Sequence, residues 1–193
     1  MKTGYIRILP CVAFAGVMSL AISYSTALAA TETKLSPALF TQLETFHGHV
    51  CAGSIFGARI GLAAKEALKK AGGTGKFTAK YYDLSCPVDG IQVGAGTTYG
   101  NAALTIDDRD EHRLVLTAEG NKLRVEASLT SKAEELGLKS RDLGKRAKGL
   151  PVDTPERLRL EREIADIFSW LKTAPDEEVV VVTILPLQKE SRK

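Results

Sequence analysis

The run GSIFGARIGLAAKEALKKAGG, residues 53–73, constrains the fold more than any other segment. Ile55, Phe56, Ile60, Ala63, Ala67 and Leu68 trace an apolar stripe at helical spacing. Lys69 and Lys70 sit in the last turn, where the helix dipole favours cations, and Gly72 and Gly73 stop the helix. Gly57 and Gly61 stand four apart within it. A helix that leaves two successive turns of one face bare is expected to lie close against another backbone.

The other elements follow from periodicity. LSPALFTQLETF reads as a helix capped by Ser36 and opened by Pro37, with Leu39, Phe40, Leu43 and Phe46 at helical spacing. KFTAKYYDLS reads as a strand. AALTI and RLVLTA are strand-like, with DDRDEH as a solvated hairpin turn between them, and KLRVEASL is a further strand. Residues 131–147 are charged and weakly helical. TPERLRLEREIADIFSWLK is a clearer helix, capped by Thr154, opened by Pro155 and buried through Leu160, Ile164, Ile167, Phe168 and Leu171. EEVVVVTILPL, β-branched and without alternation, reads as a central strand buried on both faces. The order is helices, strands, helices, strand, without regular βαβ alternation. The expected class is α+β, with helices packed on a mixed, largely antiparallel sheet.

The first 29 residues differ from the rest. Lys2 and Arg7 precede the apolar run ILPCVAFAGVMSLAIS, and Ala27 and Ala29 are the small residues of a cleavage site. This is the pattern of a secretory signal peptide cut after Ala29; the apolar core is too short to span a bilayer and Pro10 interrupts it. The expectation is a periplasmic or secreted protein whose residues 30–193 form one domain, with no stable membrane insertion after cleavage. Cleavage removes Lys2, Arg7 and no acid, so the formal net charge falls from +3 to +1. A nearly neutral chain gives no reason to expect nucleic acid as a partner.

The chain has three histidines and three cysteines, and HGHVCAG, residues 47–53, holds three of the six. In an extended segment His47, His49 and Cys51 point the same way; in a continuing helix His47 and Cys51 share a face. Imidazole and thiolate are the usual ligands of Zn²⁺ and softer transition metals. In CPVDGIQ, Pro87 suits the first position of a helix, which makes Cys86 its N-cap and lowers the pKa of its thiol. Asp89 and Gln92, three and six residues on, lie roughly along one face with it. Cleavage leaves Cys51 and Cys86 as the two cysteines, so a disulfide between them is the alternative to a metal site. The glycines of GIQVGAGTTYGN do not have the spacing of a phosphate loop and suit close helix packing or approach to a ligand.

On these residues the chain resembles the FmdE family, named for a component of formylmethanofuran dehydrogenase. HGHVCAGSIFGARIGLAA and CPVDGIQVGAGTTYGN carry the resemblance, which extends over roughly residues 40–130. It implies an α+β core domain, often dimeric, with a clustered metal-binding pocket. His47, His49 and Cys51 match its first motif, and Cys86, Asp89 and Gln92 match its second; the implied metal is most often zinc. Gly96, Thr97 and Thr98 stand where the family often has Gly-Cys-Thr. No cysteine follows Cys86, so the C-terminal zinc ribbon of some members is not expected. An exported chain is not expected to serve formylmethanofuran dehydrogenase itself, a cytoplasmic enzyme whose molybdenum or tungsten centre sits on other subunits.

The reading is an exported transition-metal-binding protein, a homodimer by the family's habit. Its ligands are His47, His49, Cys51 and Cys86. If it is an enzyme acting on a small substrate, Asp89 is the candidate proton acceptor and Cys86 the second catalytic candidate. Gln92, Gly96 and Thr97 are candidates for touching a bound cofactor. Two alternatives stand beside it. One is a non-catalytic module that binds or delivers a metal, heme or other small-molecule ligand, and the other is a thiol–disulfide protein using Cys51 and Cys86.

Overall fold

Helix α1, Pro37–His47, starts as the sequence predicts: Ser36 Oγ accepts from Ala38 N at 3.1 Å and Pro37 takes the first position. The computed structural model describes residues 36–187; the expected leader, its cleavage after Ala29 and the Cys11 it contains lie outside them. After α1 come α2 (Ala52–Lys70), β1 (Phe77–Tyr82), α3 (Pro87–Ala95), β2 (Leu104–Ile106), β3 (Glu111–Ala118), β4 (Leu123–Leu129), α4 (Ser131–Lys148), α5 (Pro155–Thr173), α6 (Asp176–Val179) and β5 (Val180–Pro186). No helix of the described residues is long and apolar enough to cross a membrane.

The five strands form one mixed sheet in the order β2-β1-β3-β4-β5, parallel between β1 and β2 and antiparallel elsewhere. Period-two alternation sends Ala79 and Tyr81, Leu114 and Leu116, and Val125, Ala127 and Leu129 to the buried face. There they join Ile55, Ile60, Ala64 and Leu68 of α2 in one core. The expected α+β class is therefore the observed one.

Two strand expectations are corrected. DDRDEH is not a hairpin turn, because β2 and β3 do not pair: β1 lies between them. The segment instead passes the end of β1, held by Asp107 N to Tyr81 O at 2.9 Å and Arg109 N to Tyr82 O at 3.0 Å. The other is EEVVVVTILPL, whose strand β5 pairs with β4 alone, at the edge of the sheet among the described residues. Val181, Val182 and Ile184 are 49%, 36% and 47% exposed, so the apolar run does not mark burial on both faces. A β-branched run reports a preference for extended backbone, and where that backbone joins a sheet depends on the chain around it.

The close approach predicted for α2 is made by α3. A Cβ on Gly57 would stand 1.9 Å from Pro87 O, and one on Gly61 2.9 Å from Ala95 N. From the other side, a Cβ on Gly90 would stand 2.2 Å from Ser54 O, and one on Gly94 2.3 Å from Ala58 O. Backbone lies on backbone. Gly53 meets Cys86, Gly57 meets Pro87 and Gly61 meets Ala95, so the two helices run in step with their N-termini together.

Arg59, only 1% exposed, ties α2 to the end of α5. Its Nη1 donates to Leu171 O at 2.9 Å, and its Nη2 to Ala174 O at 2.7 Å and Asp176 Oδ1 at 2.8 Å. Asp176 balances the charge, and Leu171 O and Ala174 O are carbonyls that the helix end leaves without an internal donor. Arg59→Met keeps the length of the side chain and strands them, so unfolding in urea is expected to lose about 2–4 kcal/mol.

Candidate metal site

Gly48 sets the geometry of the first motif. It ends α1 at φ +83°, a left-handed conformation that favours glycine, and its N–H closes the helix on Glu44 O at 2.9 Å. The motif is thus neither extended nor one continuing helix. His47 is the last residue of α1, the chain reverses at Gly48, and Cys51 caps α2. The reversal brings the His47 and His49 rings to 4.6 Å between centroids. One ligand atom from each of His47, His49 and Cys51 can be chosen so that all three lie within 4.8 Å of one another.

Cys51 does what the sequence assigned to Cys86. Its Sγ accepts from Ser54 N at 3.4 Å while Ser54 Oγ accepts from Cys51 N at 3.1 Å, a reciprocal cap. Burial pushes the Cys51 thiol up, but hydrogen bonds from Ser54, Cys86 and His47 outweigh it, and the net shift is down. Cys86 precedes α3 with helical backbone angles and makes no side-chain cap. Burial pushes its thiol up, and the neighbouring Cys51 adds to this. The reason is conformational: a capping side chain reaches the free N–H groups from extended backbone, which Cys51 has and Cys86 lacks. Both cysteines are free thiols in this structure, without the disulfide left open by the sequence.

The second motif supports the first across the contact of α1 with α3. His47 Nδ1 lies 2.7 Å from Asp89 Oδ2, and His47 Nε2 lies 3.8 Å from Cys51 Sγ. Gln92 Nε2 donates to Asp89 Oδ1 at 3.2 Å, and Gln92 Oε1 accepts from Tyr99 N at 3.0 Å. Asp89 thus orients His47, and Gln92 orients Asp89. The hydrogen bond to Asp89 holds His47 above the usual histidine range against the opposing effect of burial, with Cys51 adding to the rise. A proton on His47 therefore stabilises the metal-free fold fully below the ordinary histidine pKa, and that stability is lost as pH rises through the raised value.

Not every expected residue joins the site. Cys86 packs against the first turn of α2, where a Cβ on Gly53 would stand 2.9 Å from its Cβ, but it lies outside the compact group of three. Gly96 ends α3 at φ +72°, about 10 Å along the axis from Asp89 at 1.5 Å per residue. Thr97 follows it, fully buried, with Oγ1 among the described side-chain atoms that have no hydrogen-bond partner. Among the expected cofactor contacts, Gln92 alone is tied to this cluster by a hydrogen bond. Ser54, fully buried and bonded to Cys51 through backbone and side chain, is a residue of the site that sequence reasoning missed. Its signal was present as a hydroxyl three residues after a capping position.

A protein family and a solved structure resemble this chain. The family model described as "FmdE, Molybdenum formylmethanofuran dehydrogenase operon" matches residues 46–181. The chain belongs to the FmdE family. A solved tungsten formylmethanofuran dehydrogenase FmdE-like protein from Syntrophus aciditrophicus is similar, with a TM-score of 0.52 and 17% identity. The similarity covers 81% of this chain and 77% of that one. At that identity the likeness speaks for the fold, which is FmdE-like. No curated protein sequence matches.

The FmdE match takes in both motifs of the site and ends within β5. It also spans a second cluster that no local motif announces. Ser85 Oγ donates to Asp83 Oδ2, and His112 Nδ1 lies 3.0 Å from the Tyr81 hydroxyl and 3.4 Å from Asp83 Oδ2. Pairing of β1 with β3 assembles it from residues about 30 apart in the chain. Burial pushes the Tyr81 hydroxyl far above its ordinary range, so it stays a neutral partner of His112.

Proposed function

We propose that this FmdE-family chain binds one thiophilic transition-metal ion, zinc in the first instance, through His47, His49 and Cys51. The observation that carries this is the convergence of the three donors within 4.8 Å, with Asp89 on the remote nitrogen of His47. A carboxylate on the outer nitrogen of a ligating histidine fixes its tautomer and orientation, the usual support of a metal-bound imidazole. It leaves Nε2 on the side of Cys51, the nitrogen through which His47 would bind. The donor set, two imidazoles and a thiolate, suits zinc and its softer neighbours. Heme would call on one imidazole or thiolate of this set and would leave the convergence of the other two donors without a role.

Three protein donors leave a coordination position open, the pattern of catalytic rather than structural zinc. A bound metal would polarise a water or small oxygen ligand held there. Asp89, already engaged by His47 and Gln92, serves as an orienting group ahead of a proton acceptor. We place the protein outside the cytoplasm, on the strength of its first 29 residues, and take it to act as a homodimer on a small ligand or substrate.

Titration of the reduced, metal-free protein with Zn²⁺ tests the reading. Calorimetry is expected to show one equivalent bound per chain. Affinity is expected to rise between about pH 5.5 and 8, because Zn²⁺ needs neutral His47 and ionised Cys51. The raised pKa of His47 moves the rise towards the upper part of that interval. No uptake of zinc, nickel, copper or iron sinks the proposal, and a Soret band in the purified protein transfers it to heme.

A further inference from the structure

Cys86 is the thiol that the three-donor site leaves unused. It is placed beside Cys51 by construction: Gly53, in the first turn of α2, offers it bare backbone. A Cβ on Gly53 would stand 2.9 Å from Cys86 Cβ and 3.2 Å from Pro87 Cδ. The backbone contact of α2 with α3 at Gly57, Gly90 and Gly94 then fixes the two helix starts relative to one another. Both cysteines are half-buried free thiols, and no third cysteine stands among the described residues.

We infer that Cys86 is the resolving thiol of Cys51, and that a Cys51–Cys86 disulfide and the bound metal exclude each other. This rests on the metal reading above. The oxidant is a disulfide, RS–SR. The Cys51 thiolate attacks one of its sulfurs, the RS–SR bond breaks, and one RS⁻ leaves as the Cys51–SR bond forms. Cys86 loses its proton to solvent and attacks the Cys51 sulfur, the second RS⁻ leaves, and the Cys51–Cys86 bond closes. Both leaving thiolates take up the protons that the cysteines released, so two thiols are oxidised and RS–SR is reduced to two RSH. The disulfide sulfur carries no negative charge, and the donor set falls to two imidazoles. Linkage makes the effect reciprocal: metal protects the thiols by the same factor by which oxidation weakens metal binding.

The test treats the purified, reduced, Zn²⁺-loaded protein with oxidised glutathione and follows intact mass together with zinc release to a chromophoric chelator. The expected product is about 2 Da lighter, the two hydrogens lost on disulfide formation, and free of zinc. Saturating zinc is expected to lower the equilibrium constant for oxidation at least a hundredfold, about 60 mV at roughly 30 mV per tenfold for two electrons. Cys86→Ser is expected to stop at the glutathione adduct on Cys51. Zinc that stays bound to the lighter product, or oxidation that never yields that product, overturns the inference and leaves the metal reading standing. Failure of the reduced protein to take up zinc fells the metal reading, and this inference with it.

Discussion

Gly57→Ala is expected to lower the unfolding free energy by about 3 kcal/mol or more, and with it to remove metal binding. The new methyl would sit 1.9 Å from Pro87 O and 2.7 Å from Pro87 C. Those atoms belong to the backbone that starts α3, so no rotamer change relieves the clash. The helices must separate, and separation moves the start of α2, with Cys51 as its cap, away from α3 and the His47–Asp89 pair. For a domain of this size the melting temperature is expected to fall by about 6–12 °C. Gly144→Ala is the control, because nothing lies within 4 Å of the added methyl in α4. That change is expected to be neutral or stabilising by up to about 1 kcal/mol. Urea denaturation with a parallel zinc titration checks both. Equal stabilities for the two variants would show that the α2–α3 contact is not as close as the structure has it.

Cys51→Ser is expected to cost zinc affinity more than the roughly 10–100-fold that loss of an orienting partner costs, while leaving the fold intact. Serine is a good N-cap, so the bond to Ser54 N survives and α2 keeps its start. Only the soft, ionisable donor is lost. Asp89→Asn probes the orienting layer and is expected to fall within that 10–100-fold range, because His47 keeps a hydrogen-bonding partner without the charge. Competition with a chromophoric chelator gives both values. The ordering is the informative part: a larger loss for Asp89→Asn than for Cys51→Ser would make Asp89 the ligand and Cys51 the supporting group.

The order of the two thiols illustrates how far the sequence reached. CPVDGIQ looked like a helix start with a capping cysteine, and HGHVCAG looked like a ligand cluster. The helix starts at Pro87 as expected, but the capping thiol of lowered pKa is Cys51. The difference lies in one pair of dihedral angles at each cysteine. Those angles follow from how Gly48 turns the chain and how α3 seats against α2, and neither is a property of a short motif. The VVVV run shows the same limit at the level of the sheet. It specified a strand, while its place beside β4 at the edge followed from which neighbours were already taken.

The sequence by itself determined the α+β class, the places of α1, α2, α4 and α5, the start of α3, the bare glycine face of α2 and the two motifs from which the site is built. These rest on side-chain period, capping residues and the absence of a Cβ, all of them local. Only the tertiary structure decided that His47 meets Asp89, that Cys86 stands beside Cys51 and that Tyr81, Asp83 and His112 form a second cluster. Those pairs lie about 30 to 40 residues apart, and their contact depends on helix registry and strand order. Both are fixed by the packing of the whole chain.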